Sequence, residues 1–184
     1  MDKIFTVDVV SFLIDGKPDF NRLPRNRNQV FEELINTSSA DLIVFPGWTV
    51  KSPNIEFLVR PITNTHSVIC FENYDTKATG LNSNQGCVYY GGELVKTEIR
   101  QVFAEASHVN NKNTFIKEYL ENLIENRCFE FSGIRYLWLS CGENNILRNI
   151  QKEGNKVDFR SKDQFLYEQF DDLMSKVDVV INPI

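Results

Sequence analysis

Ile134-Arg135-Tyr136-Leu137-Trp138-Leu139-Ser140-Cys141-Gly142-Glu143-Asn144 is the stretch on which the reading of this chain turns. An apolar, aromatic-rich run of this length reads as a buried strand, and it delivers a thiol to its tip. Gly142 follows at once and lets the backbone turn sharply. Several α/β enzymes present a nucleophile in this way. A free cysteine on a strand is equally a small buried hydrophobe, so both readings of Cys141 stand at this point.

Outward from that strand, short apolar runs alternate with helical patterns, the signature of an α/β fold. Lys3 to Leu13 reads as a first strand, Asp41 to Phe45 and Ser67 to Phe71 as buried strands, and Val177 to Ile181 as a last one. Arg25 to Ile35, Asn113 to Asn126 and Ser161 to Ser175 carry apolar stripes at helical spacing, with Asn113 or Thr114 capping the second helix and Ser161 the third. Gly86 to Tyr90 and Glu93 to Ile99 flank Gly91-Gly92, a strong hairpin signal. Cys128 to Phe131 pairs with the Cys141 strand around Ser132-Gly133, and the polar stretch Gln151 to Arg160 reads as a surface loop. Composition shows no linker and no repeat, so residues 1–184 are expected to form one domain.

The chain has 184 residues, is 42% hydrophobic and carries a net charge of −5, which fits a folded globule with no electrostatic reason to bind nucleic acid or an anionic membrane. No apolar segment is long enough to span a bilayer. The opening Met1-Asp2-Lys3-Ile4-Phe5 lacks a signal-peptide pattern. Four cysteines lie far apart, without zinc-ligand spacing, so reduced thiols in a cytoplasmic protein are expected, with no metal and no cofactor. His66 and His108 have no metal-like companions and are expected to be exposed. Tyr89-Tyr90 reads as packing rather than a stacking platform.

The order of these segments resembles the nitrilase, or carbon–nitrogen hydrolase, superfamily. The resemblance rests on Ala40-Asp41-Leu42-Ile43-Val44-Phe45-Pro46, the hairpin Gly86 to Ile99, the strand ending in Cys141 with Glu143 beside it, and Val177-Asp178-Val179-Val180-Ile181-Asn182-Pro183. It runs over essentially the whole chain. It implies an α-β-β-α sandwich, two sheets face to face with helices outside, here with a shortened C-terminal part. It also implies a homo-oligomer, typically a dimer. An incomplete sheet edge near Ile184 would call for a partner chain.

The family uses a cysteine nucleophile, a glutamate general base and a lysine that stabilises the oxyanion, often with a second glutamate. The resemblance places the nucleophile at Cys141. It places the base at position 47, which is Gly47, and the lysine at position 101, which is Gln101, with Arg100 one position away. Glu105 is the candidate second glutamate. Glu72, at the end of the ICFE run, is the candidate substitute base; the competing reading is a solvated strand-end carboxylate. Arg100 is read as a carboxylate binder or, more simply, a partner of Glu93 or Glu98. Glu143 is expected to turn outward or to pair with a basic neighbour, because adjacent strand positions face apart.

A positioned general base contributes about 10²–10⁴ in rate and one oxyanion donor about 10²–10³. Losing both leaves roughly 10⁻⁴ to 10⁻⁷ of a competent enzyme. Two functions follow from the residues and the resemblance together. One is a degenerate nitrilase-like domain that binds a small amide or carboxylate, or assembles with a partner, without ordinary amidase activity. The other is a divergent thiol amidase in which Cys141 is acylated and Glu72 or Glu105 supplies the base.

Overall fold

A computed structural model describes residues 4–11, 27–47, 49–74, 81, 84–154 and 156–183. It is a mixed α/β structure that divides into two compact units, Met1–Arg100 and Gln101–Asn182.

The first unit is built on a five-stranded sheet in the order β1 (Val7–Val9), β2 (Leu42–Val44), β3 (Val68–Tyr74), β4 (Asn84–Tyr90), β5 (Glu93–Arg100). The first three strands are parallel; β3, β4 and β5 are antiparallel. The expected first strand, Lys3 to Leu13, is reduced to Val7–Val9 among the described residues, and both of its ends lie outside them. Between β4 and β5, Gly91 and Gly92 both take positive φ (64° and 96°), the condition for a tight two-residue hairpin turn. α1 (Arg27–Thr37) drives Phe31 and Ile35 fully out of solvent. The Phe31 ring lies 4.8 Å from Phe45 and 5.0 Å from Phe71, so α1 seals one face of the sheet with Ile43, Ile69, Cys87 and Tyr89. A short helix α2 (Ile55–Val59), not evident in the sequence, is capped by the Asn54 side chain accepting from the Phe57 N–H.

The second unit contains α3 (Asn113–Asn122), whose last turn widens into a π-helix at Leu123–Arg127. β6 (Cys128–Phe131) and β7 (Ile134–Trp138) form a hairpin, and β10 (Val179–Ile181) pairs with β7 in parallel, giving the order β10-β7-β6. Leu137 and Leu139 on the β7 side, Ile116, Tyr119, Leu120 and Leu123 from α3 and the π turn, and Leu166 and Leu173 from α4 (Gln164–Ser175) make one apolar core.

Three expectations are corrected here. Gln151 to Arg160 is not a plain loop: Lys156–Phe159 forms β9, which pairs antiparallel with β8 (Leu147–Ile150) and is tied to it by Arg148 and Asp158 at 2.9 Å. The cap of α4 is Asp163, whose carboxylate accepts from the N–H groups of Phe165 and Leu166; Ser161 instead bonds the Asp163 N–H and the Asn113 side chain. Neither Asn113 nor Thr114 caps α3. Its N-cap position is Lys112, without a side-chain bond.

Candidate functional site

Cys141 is exposed, the only one of the four cysteines so placed, whereas Cys70 and Cys87 are buried and Cys128 is intermediate. Burial pushes the Cys87 thiol up to about 12, with the Glu72 charge adding to it, and burial likewise raises Cys70. The reading of Cys141 as a buried hydrophobe is therefore corrected. The thiol stands just past the end of β7, on a turn that Asn182 anchors from behind: its side-chain amide donates to the carbonyls of Leu139 (2.8 Å) and Ser140 (3.2 Å). In the sequence Asn182 shows only as part of a strand ending. The role of its amide depends on β10 lying beside β7.

The turn itself is tightly made. Gly142 takes φ +83°, and a Cβ there would meet the Ala104 carbonyl oxygen at 2.7 Å and the Ala104 Cα at 2.8 Å. Only glycine offers both the left-handed backbone and the missing side chain that this approach needs. Asn145 reinforces the contact, donating to the carbonyls of Ala104 (3.0 Å) and Gly142 (2.9 Å).

Glu143 turns inward and is fully buried. Its Oε1 accepts from the Val102 N–H at 2.6 Å, and its Oε2 accepts from the Ser140 N–H at 2.8 Å, from the Tyr119 hydroxyl at 3.3 Å and from Arg127. Arg127 is itself buried. Its guanidinium lies 5.6 Å from the Tyr119 ring centroid, and its Nε donates to Asn122 at 2.8 Å. Burial pushes the Glu143 carboxyl above its ordinary value, while Arg127 and the two backbone donors pull against that rise. Burial also lifts the Tyr119 hydroxyl well above its usual value, with the Glu143 charge adding to it. Of the two expectations for Glu143, pairing with a basic residue holds and turning outward does not. A carboxyl group with four donors around it is a structural anchor for the turn.

Gln101 and Cys141 are brought together, but through the backbone. The Gln101 amide donates to the Cys141 carbonyl and, at 3.0 Å, to the Phe103 carbonyl. Both hydrogens of that NH₂ group are thus committed to main-chain oxygens. Glu105 is exposed in the same unit, and its carboxylate accepts from the Ser107 hydroxyl at 3.1 Å. Glu72 and Gly47 belong to the first unit. Glu72 lies within β3, opposite Gly86, and is 1% exposed, so it is not a solvated strand end. Gly47 sits in a turn after β2 that Thr49 closes by donating to the Pro46 carbonyl. His66 is exposed, and His108 Nδ1 accepts from the Ala104 N–H at 3.4 Å. Among the described residues no group of three or more His, Cys, Asp or Glu side chains is placed to hold a metal ion. No helix among them is long and apolar enough to cross a membrane.

The first unit also holds a groove of about 1260 Å³ over β3–β5, bounded by α2. Tyr89, Ile62 and Leu94 give it an apolar side; Gln85, Thr97 and Lys51, whose ammonium lies 6.0 Å from the Tyr74 ring centroid, give it a polar one.

No protein-family description matches the sequence, and no curated protein matches it. Among solved structures, the chain is similar to a glutamine-dependent NAD+ synthetase from Acinetobacter baumannii, determined in complex with adenosine diphosphate. The likeness has 18% sequence identity and a TM-score of 0.40, and it covers 85% of this chain and 29% of that one. The chain thus spans less than a third of that protein's length.

Proposed function

We propose that residues 1–184 form a divergent nitrilase-like domain that does not run the family's Cys-Glu-Lys amide hydrolysis and serves as a binding or assembly domain. The observation that carries this is the Gln101 amide. At the position the resemblance gives to the oxyanion-stabilising lysine, both N–H donors are spent on the Cys141 and Phe103 carbonyls. Gly47 brings no side chain to the position of the base, and the carboxylate next to the thiol, Glu143, is enclosed. A small amide or carboxylate is the ligand class this reading carries. The groove over β3–β5, lined by apolar residues, side-chain amides and charges of both signs (Lys51 and Arg60 with Glu56, Glu93 and Glu98), is the place to seek it. The resemblance adds the sandwich arrangement and a homo-oligomer.

A second reading is favoured by one observation, the exposure of Cys141 at a turn tip. In it the thiol is acylated by a small amide, the carbon–nitrogen bond breaks, the amine leaves with a proton, and water hydrolyses the thioester. Glu105, in the same unit as the thiol, would act as base.

Intact mass spectrometry after incubation with simple amides, nitriles and glutamine separates the two. The expected result is no adduct and no product. A turnover-dependent adduct that Cys141→Ala abolishes would overturn the binding-domain reading.

A further inference from the structure

Four pieces of chain meet at one carboxylate. α3 contributes Tyr119, the π turn Arg127, the segment after Arg100 the Val102 N–H, and the end of β7 the Ser140 N–H. All four converge on Glu143, two residues beyond the exposed thiol. Backbone donors at 2.6 and 2.8 Å fix not only the side chain but also the two strands of chain that carry them. One is the segment on which Gly142 packs, and the other leads directly into Cys141. Nothing else named at the turn links the Ser140 and Val102 amides through a single group.

We propose that Glu143 is a positioning residue, a buried latch that closes the Cys141 turn onto the 101–104 segment, so that opening of the latch releases the Val102 and Ser140 amides together. The charged and titratable groups that face it are Arg127 and Tyr119; the other two elements present backbone N–H groups. Tyr119, raised by burial, stays neutral through the neutral range, so the proton that moves with opening is the one on Glu143. Burial holds that carboxyl above its ordinary value in the closed turn, and opening returns it to water and to the ordinary value. By linkage, the closed form therefore keeps its proton to higher pH than the open form, and rising pH favours opening. The inference does not depend on whether Cys141 hydrolyses anything, because neither arm of its test uses turnover.

Site-resolved amide hydrogen exchange on the full chain tests it. The Leu139 N–H, which donates to Ile181 at 2.8 Å, serves as the control on the same strand end. In wild type, the protection factors of Val102 and Ser140 are expected to move as a pair and to decline as pH rises through the titration of Glu143, with Leu139 unresponsive. In Glu143→Met, which removes both acceptor oxygens at similar length, Val102 and Ser140 are expected to lose about tenfold or more in protection while Leu139 keeps its own. Unchanged protection of the pair in Glu143→Met overturns the latch. Should that variant not fold, the wild-type arm decides alone: protection of Val102 and Ser140 that varies independently at the two sites overturns it.

Discussion

At Gly142 the left-handed φ of +83° and the close approach of Ala104 act together. Gly142→Ala must place a methyl 2.7 Å from a carbonyl oxygen that belongs to backbone and cannot swing aside. The expected cost is about 1–3 kcal/mol, read as a fall in the urea midpoint. The same substitution at Gly133, where an added Cβ meets nothing within 4 Å, is expected to cost only the backbone strain of its positive φ. Sequence alone made the thiol and its glycine visible, because a strand followed by glycine is a local pattern. It did not reveal Glu143 as a buried anchor. That carboxylate is held by Arg127, 16 residues earlier, and by a backbone N–H 41 residues earlier, and no local alternation rule can anticipate either. Gln101 was visible as a departure from the family pattern, but not as a donor already in use. Its partners are main-chain oxygens, which leave no trace in composition.

Among the elements, α4 owes its start to a side chain and not to propensity. Asp163 satisfies two of the backbone N–H groups that a helix leaves open at its first turn. Asp163→Ala is expected to lower stability by about 1 kcal/mol, and Asp163→Asn by much less, in matched chemical denaturation curves. Ser161 and Asp163 are both good capping types, so the sequence marks the neighbourhood but not which of the two accepts. The β4–β5 hairpin was legible because Gly91-Gly92 permits the turn that fixes its register. The β8–β9 hairpin was not. Lys156–Phe159 is polar on one side, and its pairing is secured by the Arg148–Asp158 ion pair across the strands rather than by an apolar run. The α/β class was readable from alternating strands and helices.

For the molecule as a whole, Glu143 ties stability to pH with a definite sign. Its carboxyl lies above the ordinary value in the folded chain. Below the unfolded value of about 4.3 its contribution is fully present. As pH rises through the folded value, the unfolded chain releases the proton first, and the contribution is lost. Urea midpoints measured over a pH series in wild type and in Glu143→Gln are expected to differ by an amount that shifts against the wild type as pH rises through this window. A difference that does not vary with pH would contradict this. The π turn at Leu123–Arg127 has a consequence of another kind. Its wider winding accommodates one residue more than an α-turn, within a stretch whose middle, at Ile124, Glu125 and Asn126, faces solvent. Replacing Glu125 changes little that is packed, but inserting a residue beside it would advance Arg127 about 100° around the helix axis. What reaches Glu143 is thus set by the count of surface residues and not by their identity, so this exposed stretch should tolerate substitution freely and a single-residue insertion not at all.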